Sequence, residues 1–249
     1  MTDERILWIV LPAYNEEGSV GPLLDRFRSV LSDPFRYRVV VVNDGSTDRT
    51  VEEIQARASQ MPIEVVTNEK NMGLGLTLQR GLEFACGKAG PADFVLTMDA
   101  DNTHDPALVP NMLERLDEGF DFVVASRYQP GAAVAGLSRS REMMSTVASR
   151  LFRILFPVPN VRDYTCGYRI YQVKMLRSIK ERFGVFTTER GFTCMADILL
   201  RARVMRFRGS EVPMNLRYDL KASGSKMKVA RTVHRTLLIL LKRRLGIWT

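Results

Sequence analysis

The 249 residues suit one large domain, or one domain with an appended element, and can bury a sizeable core. A net charge of +8 favours anionic partners such as nucleotide diphosphates, lipid phosphates or a membrane surface, whereas no compact basic–aromatic stripe or nucleic-acid motif supports nucleic acid. Three cysteines (Cys86, Cys166, Cys194), odd in count and without metal-ligand spacing, read as buried thiols in a reducing compartment; the opening Met1-Thr-Asp-Glu-Arg lacks a signal-type apolar region, and no apolar run nears the ~20 residues of a membrane span.

In chain order the pattern predicts strand 6–11, helix 18–31, strand 37–43, helix 48–60, strand 62–67, helix 74–86, strand 93–98, helix 106–118 and strand 121–126. Residues 7–11 and 39–42 are apolar without alternation, the mark of parallel strands covered on both faces. Strands alternating with helices in this way form a doubly wound, mostly parallel α/β sheet with helices on both faces. After Tyr128 the pattern changes. A loop of small residues at 131–136 leads into a basic, apolar helix over 138–156, closed by Pro157 and Pro159. A strand near 166–171, a helix over 191–206, a strand over 211–217 and a basic C-terminal helix follow.

The chemistry concentrates where strands end. The run Phe94-Val95-Leu96-Thr97-Met98 stops in Asp99-Ala100-Asp101, the first strand ends in Pro12-Ala13-Tyr14-Asn15-Glu16-Glu17-Gly18, and the second in Asn43-Asp44-Gly45-Ser46-Thr47-Asp48. Open α/β sheets bind ligands at this carboxyl edge, and paired carboxylates suit Mg²⁺ or Mn²⁺ with positions open for substrate phosphates. Each acidic turn also reads singly as a helix cap. Convergence of Glu16, Asp44, Asp99 and Asp101 on one edge is more than capping requires. Asn71-Met72-Gly73-Leu74-Gly75 opens a helix as a ligand-approaching loop or as a cap; it is no GxGxxG fingerprint and implies no dinucleotide cofactor.

Taken together, "LPAYNEE", "VVVVNDGSTDRT", "NMGLG", "MDADNTHDP", "ASRY", "DYTCGYRIY" and "EVP…LRY…GSK" resemble the family 2 glycosyltransferases of the GT-A fold, from about residue 6 to 228. "TCGYR" and "GSK" narrow the resemblance to the dolichol-phosphate mannose synthase branch, which glycosylates polyprenyl phosphates. The resemblance implies a GT-A domain over 1–225, with a nucleotide-sugar half (1–128) and an acceptor half (129–225), and a basic amphipathic helix over 226–249. It implies that Pro12, Tyr14, Glu16 and Asp44 hold base and ribose, and that Asp99, Ala100 and Asp101 meet the nucleotide sugar. Asp99, Asp101 and Arg127 are the implied catalytic residues. Metal ligation falls to Asp101 and Asp99; where the family carries a Gln this chain has Thr103, so the Thr103 hydroxyl, His104 or water would complete the shell. His104, before Asp105-Pro106, reads as a turn residue. Arg127, Arg141 and Ser145 match the acceptor-phosphate site, although Arg141 also fits a solvated basic face with Arg139, Arg150 and Arg153. Asp163, Arg169, Arg217 and Lys226 match positions near the diphosphate and its closing loop.

The implied reaction is an inverting, metal-dependent hexose transfer to a polyprenyl phosphate, with mannose from GDP-mannose first and a UDP-sugar donor as the rival. A saccharide hydroxyl acceptor would need a further carboxylate base, and Asp163 is the one at hand. A nucleotidyltransferase would open with a Gly-rich basic loop in place of the acidic one here, and a non-catalytic membrane-binding module would not need Asp99 and Asp101. Met143, Val147, Leu151 and Ile154-Leu155 make a helical apolar stripe, and Val229, Val233, Leu237 and Leu240-Leu241 repeat it between Lys226, Lys228, Arg231, Arg235 and Lys242-Arg243-Arg244, with Trp248 near the end. These helices read as interfacial, on the cytoplasmic face of a membrane, or else as docked on the sheet with solvated charges. A membrane partner subunit is a further partner known in the family.

Overall fold

The computed structural model describes residues 5–31, 36–222 and 229–248, without the side chains of 139–141 and 229–231. Three buried apolar runs build the centre of the sheet: β1 (Leu7–Ala13), β2 (Tyr37–Asn43) and β4 (Phe94–Thr97). They pair in parallel, Ile9 lying between Val39 and Leu96, and β3 (Ile63–Thr67) extends the sheet beside β2. Helices α1 (Val20–Val30), α2 (Thr50–Gln55), α3 (Leu74–Lys88) and α4 (Val109–Asp117) are the crossovers. Helix α3 lies close on β1 and β2 because Gly81 has no side chain; a Cβ there would stand 2.4 Å from Val10 Cγ1. The expected helix over 48–60 is a six-residue helix followed by turns.

The seven strands run in the order β3-β2-β1-β4-β7-β5-β8, with β5 (Phe122–Ser126), β7 (Arg169–Gln172) and β8 (Gly209–Pro213) on the far side. β7 is antiparallel to both neighbours, whereas β5 and β8 pair in parallel. This reversal matters for the site. The residues entering β7 reach the edge where β4 and β5 end, so Thr165–Gly167 come beside the Asp99 turn. Thr97 Oγ1 donates to the Gly167 carbonyl at 2.8 Å, and a Cβ on Gly167 would lie 3.4 Å from Asp99 Oδ1.

The expected strand over 211–217 divides: it leaves the main sheet after Pro213, and β9 (Asn215–Arg217) pairs with β6 (Ala133–Ala135) in a small parallel sheet. A helix absent from the sequence reading, α6 (Val173–Phe183), follows β7 and buries Val173, Leu176 and Ile179. Helices α5 (Arg139–Leu155), α7 (Cys194–Val204) and α8 (Val229–Arg244) complete the fold.

Helix α8 docks and exposes at once. Its Thr236, Ile239, Leu240 and Arg243 are buried, while Val233, Leu237 and Leu241 face out. Arg243 donates from Nε and Nη2 to Asp197 Oδ1 at 3.0 and 2.7 Å, and Arg201 lies 3.4 Å from Asp197 Oδ2. Trp248, expected at a membrane interface, packs on Phe183 with ring centroids 5.2 Å apart and under the guanidinium groups of Arg201 and Arg243. Buried carboxylate–arginine pairing outcompetes solvent here, because an Asp197 left unpaired in the core would carry a large desolvation cost. Phe152 and Phe156 of the α5 segment likewise turn inward, leaving Met143, Val147, Leu151, Ile154 and Leu155 outside.

Candidate active site

The first two acidic turns knit together before either meets a ligand. Asp44 N donates to the Ala13 carbonyl, Asn15 N to Ser46 Oγ, and Glu16 N to Thr50 Oγ1. The Asp44 carboxylate is buried and accepts from Asn68 Nδ2 (2.8 Å), Met72 N (2.8 Å) and Gly73 N (2.9 Å). It therefore shapes the Asn71–Gly75 loop, in which Gly73 sits at φ +87°, a left-handed backbone that glycine adopts without strain. Gly75 N donates to the Arg190 carbonyl at 3.0 Å, which brings the 187–193 segment against the loop.

The third turn carries the carboxylate pair. Asp101 Oδ1 accepts from Thr103 Oγ1 at 2.7 Å, and Asp101 Oδ2 accepts from Lys221 Nζ at 2.5 Å. Burial alone would raise the Asp101 carboxyl; the Lys221 ammonium, with the Thr103 hydroxyl, outweighs it and holds the group below the ordinary carboxylate range. Asp99 goes the other way, pushed up by burial and then by the charge of Asp101. His104 is buried edge-on to Tyr168, with ring centroids 5.5 Å apart, and burial lowers its imidazole to about 4. Among the described residues its Nδ1 has no hydrogen-bond partner. The neutral ring thus lines the site as a wall, one step before the Asp105 cap of Pro106–Leu108.

Across the site, Arg127 is held as a fork. Its Nε and Nη2 donate to Asp163 at 2.8 Å each, and Nη2 also donates to Thr165 Oγ1 at 2.7 Å. Asp163 is fully buried and its carboxyl is held down by Arg127 against the upward push of burial. A carboxylate so occupied is a poor general base, and Asp163 does not line the cavity. Ser145 Oγ lies 3.0 Å from Thr165 Oγ1 and 3.3 Å from Tyr128 OH, so α5 joins the same polar cluster.

The carboxylate pair, Arg127, Ser145 and Thr165 share one cavity of about 1060 Å³. Its polar end holds Tyr14, Asp44, Asp99, Asp101, Arg127 and Lys221; its apolar end runs between Met143, Val147 and Leu151 of α5 and Val233 and Leu237 of α8. Of the residues singled out in the sequence, Pro12, Glu16, Ala100, Thr103 and Ser145 also line it. Arg217 does not. It is exposed and paired with Asp219 at 2.7 Å, because β9 turns its side chain outward. Arg169 does not either: it is buried in β7, its guanidinium donating to the carbonyls of Met195 and Tyr164. Lys226 and the Arg141 side chain lie outside the described residues. Sequence reasoning missed Lys221, Thr165 and Tyr128. Thr165 and Tyr128 stand inside quoted motifs, whereas nothing local marks Lys221.

The carboxylate pair offers hard oxygen donors suited to Mg²⁺ or Mn²⁺, and an ammonium already stands on one of them. Among the described residues no group of three or more His, Cys, Asp or Glu side chains is arranged around a metal position. Thr103 bonds back to Asp101. The pair therefore fits an ion that takes its remaining ligands from water and substrate phosphates.

Residues 8–180 match the model of the family described as Glycosyl transferase family 2. The chain belongs to that family. The glycosyltransferase is 32% identical over 224 residues to an undecaprenyl-phosphate mannosyltransferase of Micrococcus luteus, covering 90% of this chain and 87% of that protein. It is 28% identical over 226 residues to a dolichol-phosphate mannosyltransferase of Pyrococcus furiosus, covering 90% of this chain and spanning 60% of that relative's length. The fold is that of glucosyl-3-phosphoglycerate synthase from Mycobacterium tuberculosis, solved with Mn²⁺ and UDP, at a TM-score of 0.70 and 22% identity over 98% of this chain and 81% of that one. The GT-A architecture and glycosyltransferase class expected from the motifs are thus borne out.

Proposed function

We propose that this glycosyltransferase moves a hexose, mannose from GDP-mannose in the first instance, onto a polyprenyl phosphate, with inversion, at the cytoplasmic face of a membrane. The observation that carries this reading is the single cavity whose carboxylate-and-arginine end continues into an apolar trough between α5 and α8. A nucleotide diphosphate sugar suits the first part and a lipid phosphate the second. The two prenyl-phosphate relatives support the same acceptor class.

The acceptor's chemistry agrees with the absence of a free base at Asp163. A phosphate monoester, with its second pKa near ~6, is already anionic at neutral pH and needs positioning more than deprotonation. Arg127, fixed by Asp163, presents its charge at the cavity wall, and Ser145 and Thr165 add hydroxyl donors. A phosphate oxygen attacks the anomeric carbon from the face opposite the donor; the C–O bond to the nucleotide diphosphate breaks, and the nucleotide leaves with the electron pair. A divalent ion on Asp99 and Asp101 would neutralise charge gathering on that leaving group. Pro12, Tyr14, Glu16 and Asp44 would seat the nucleoside. Exposed apolar side chains on α5 and α8 would lie in the lipid interface, with Ile154 74% and Leu237 56% exposed; no helix among the described residues is long and apolar enough to cross a membrane.

The test is a transfer assay with Mg²⁺ or Mn²⁺, pairing labelled GDP-mannose, UDP-glucose and UDP-N-acetylglucosamine with polyprenyl phosphate in detergent. Label entering the organic phase from GDP-mannose alone is the expected result. Transfer from a UDP-sugar would replace the donor and keep the acceptor. No transfer from any donor, with nucleotide binding intact, would remove the lipid-phosphate reading.

A further inference from the structure

Asp99 and Asp101 end a buried strand one residue apart, and like charges so placed repel unless a cation stands with them. The chain brings a cation of its own to this pair. Lys221 Nζ lies 2.5 Å from Asp101 Oδ2, with the two side chains only 10% and 8% exposed. The contact joins residues 120 positions apart, so it is built by the tertiary fold rather than by local sequence.

The backbone around this pair is anchored independently of the ammonium. Arg217 N donates to the Thr103 carbonyl at 2.9 Å, tying the end of β9 to the carboxylate turn, and Lys221 N donates to the Tyr218 carbonyl at 3.4 Å. The ammonium also stands 5.5 Å from the Tyr218 ring centroid, which offers it a second place to rest. Rotation of a flexible four-carbon stem thus frees Asp101 Oδ2, while Oδ1 stays with Thr103.

We propose that Lys221 is a tethered counter-ion of the metal site, occupying Asp101 in the metal-free enzyme so that a divalent ion binds only by displacing it. The inference rests on the reading of Asp99 and Asp101 as the metal-binding pair. Its consequence is a resting enzyme with weakened affinity for a lone divalent ion. A donor diphosphate, which brings ligand oxygens of its own, then helps the ion to displace the ammonium.

The experiment is Mn²⁺ titration of the full chain without nucleotide, read by the loss of the free-ion electron paramagnetic resonance signal, for wild type and for Lys221→Met, Lys221→Gln, Arg217→Met and Asp101→Asn. Circular dichroism melts confirm folding, and Lys221→Gln replaces Lys221→Met if the latter is unfolded. The expected result is Mn²⁺ binding about tenfold tighter in the Lys221 variant, or about 1.4 kcal/mol. Arg217→Met, which removes an equal charge four residues away, is expected to change affinity less than twofold. Unchanged or weaker Mn²⁺ binding in a folded Lys221 variant overturns the proposal, as does equal tightening in Arg217→Met. Wild-type affinity in Asp101→Asn would instead remove the metal pair itself, a different failure with a different signature.

Discussion

The two sides of the sheet are built on different physics. From β1 to β4 every strand is parallel; β1, β2 and β4 are buried on both faces by apolar side chains and end in the acidic turns of the site, while β3 is a half-exposed edge. Beyond Tyr128 the chain inserts one antiparallel strand, spends two arginines on Asp197, sets Asp163 against Arg127 of the first half, and leaves two apolar helical faces in the open. The first region is specified by hydrophobic burial, which tolerates many sequences. The second depends on individual ion pairs, which fail when one partner is removed. The difference teaches where each kind of substitution will register: in turnover on the first side, in stability on the second.

The sharpest way to break that contrast is at the carboxylate turn. Asp101→Asn is expected to lower transfer about 10³-fold or more, roughly 4 kcal/mol at the transition state, while the melting temperature moves by a few degrees at most. A large stability loss would place Asp101 with the ion pairs of the other region.

Next comes the buried fork. Asp163→Asn leaves Arg127 enclosed without its carboxylate and is expected to cost about 3–5 kcal/mol in urea unfolding. The pH profile gives the sign. Asp163 is held below its ordinary value in the folded protein, so its contribution is complete above about pH 4 and disappears as the pH falls through the folded value. Wild type should therefore lose stability more steeply below pH 4 than Asp163→Asn.

Arg243→Met should cost less, about 2 kcal/mol, because Asp197 keeps Arg201, Thr187 Oγ1 and the Thr188 amide. Hydrogen exchange should show the loss concentrated in α8 and in residues 187–193, with β1 and β2 unaffected. The smallest change in stability belongs to Ile154→Asn and Leu237→Asn, within about 0.5 kcal/mol. Partition onto anionic vesicles should nevertheless fall roughly tenfold for the pair. Unaltered partition would make these faces ordinary exposed surface.

The legible elements were those with a local signal. Residues 7–11 and 39–42 read as covered parallel strands because uninterrupted β-branched runs have little other stable use, and the structure buries them. Asp99 and Asp101 were placed at a sheet edge by the apolar run before them. Helix α6 was missed although Val173, Leu176 and Ile179 give a helical stripe closed by Gly184 at φ +76°; that signal was present. The three-residue strands β6 and β9 carry no detectable period. Arg243 and Trp248 read as members of an interfacial basic helix because composition does not distinguish a solvated arginine from one aimed at a carboxylate 46 residues away.

Periodicity and strand-end chemistry are properties of neighbours in the chain, so the sequence by itself determined the parallel first half, the acidic edge and the family to which the chain belongs. The direction of β7, the binding of Asp163 to Arg127, the docking of α8 through Asp197 and the ammonium of Lys221 on Asp101 were decided only in the tertiary structure. Each depends on which charge ends up within reach of which buried carboxylate, and packing between elements distant in sequence sets that distance.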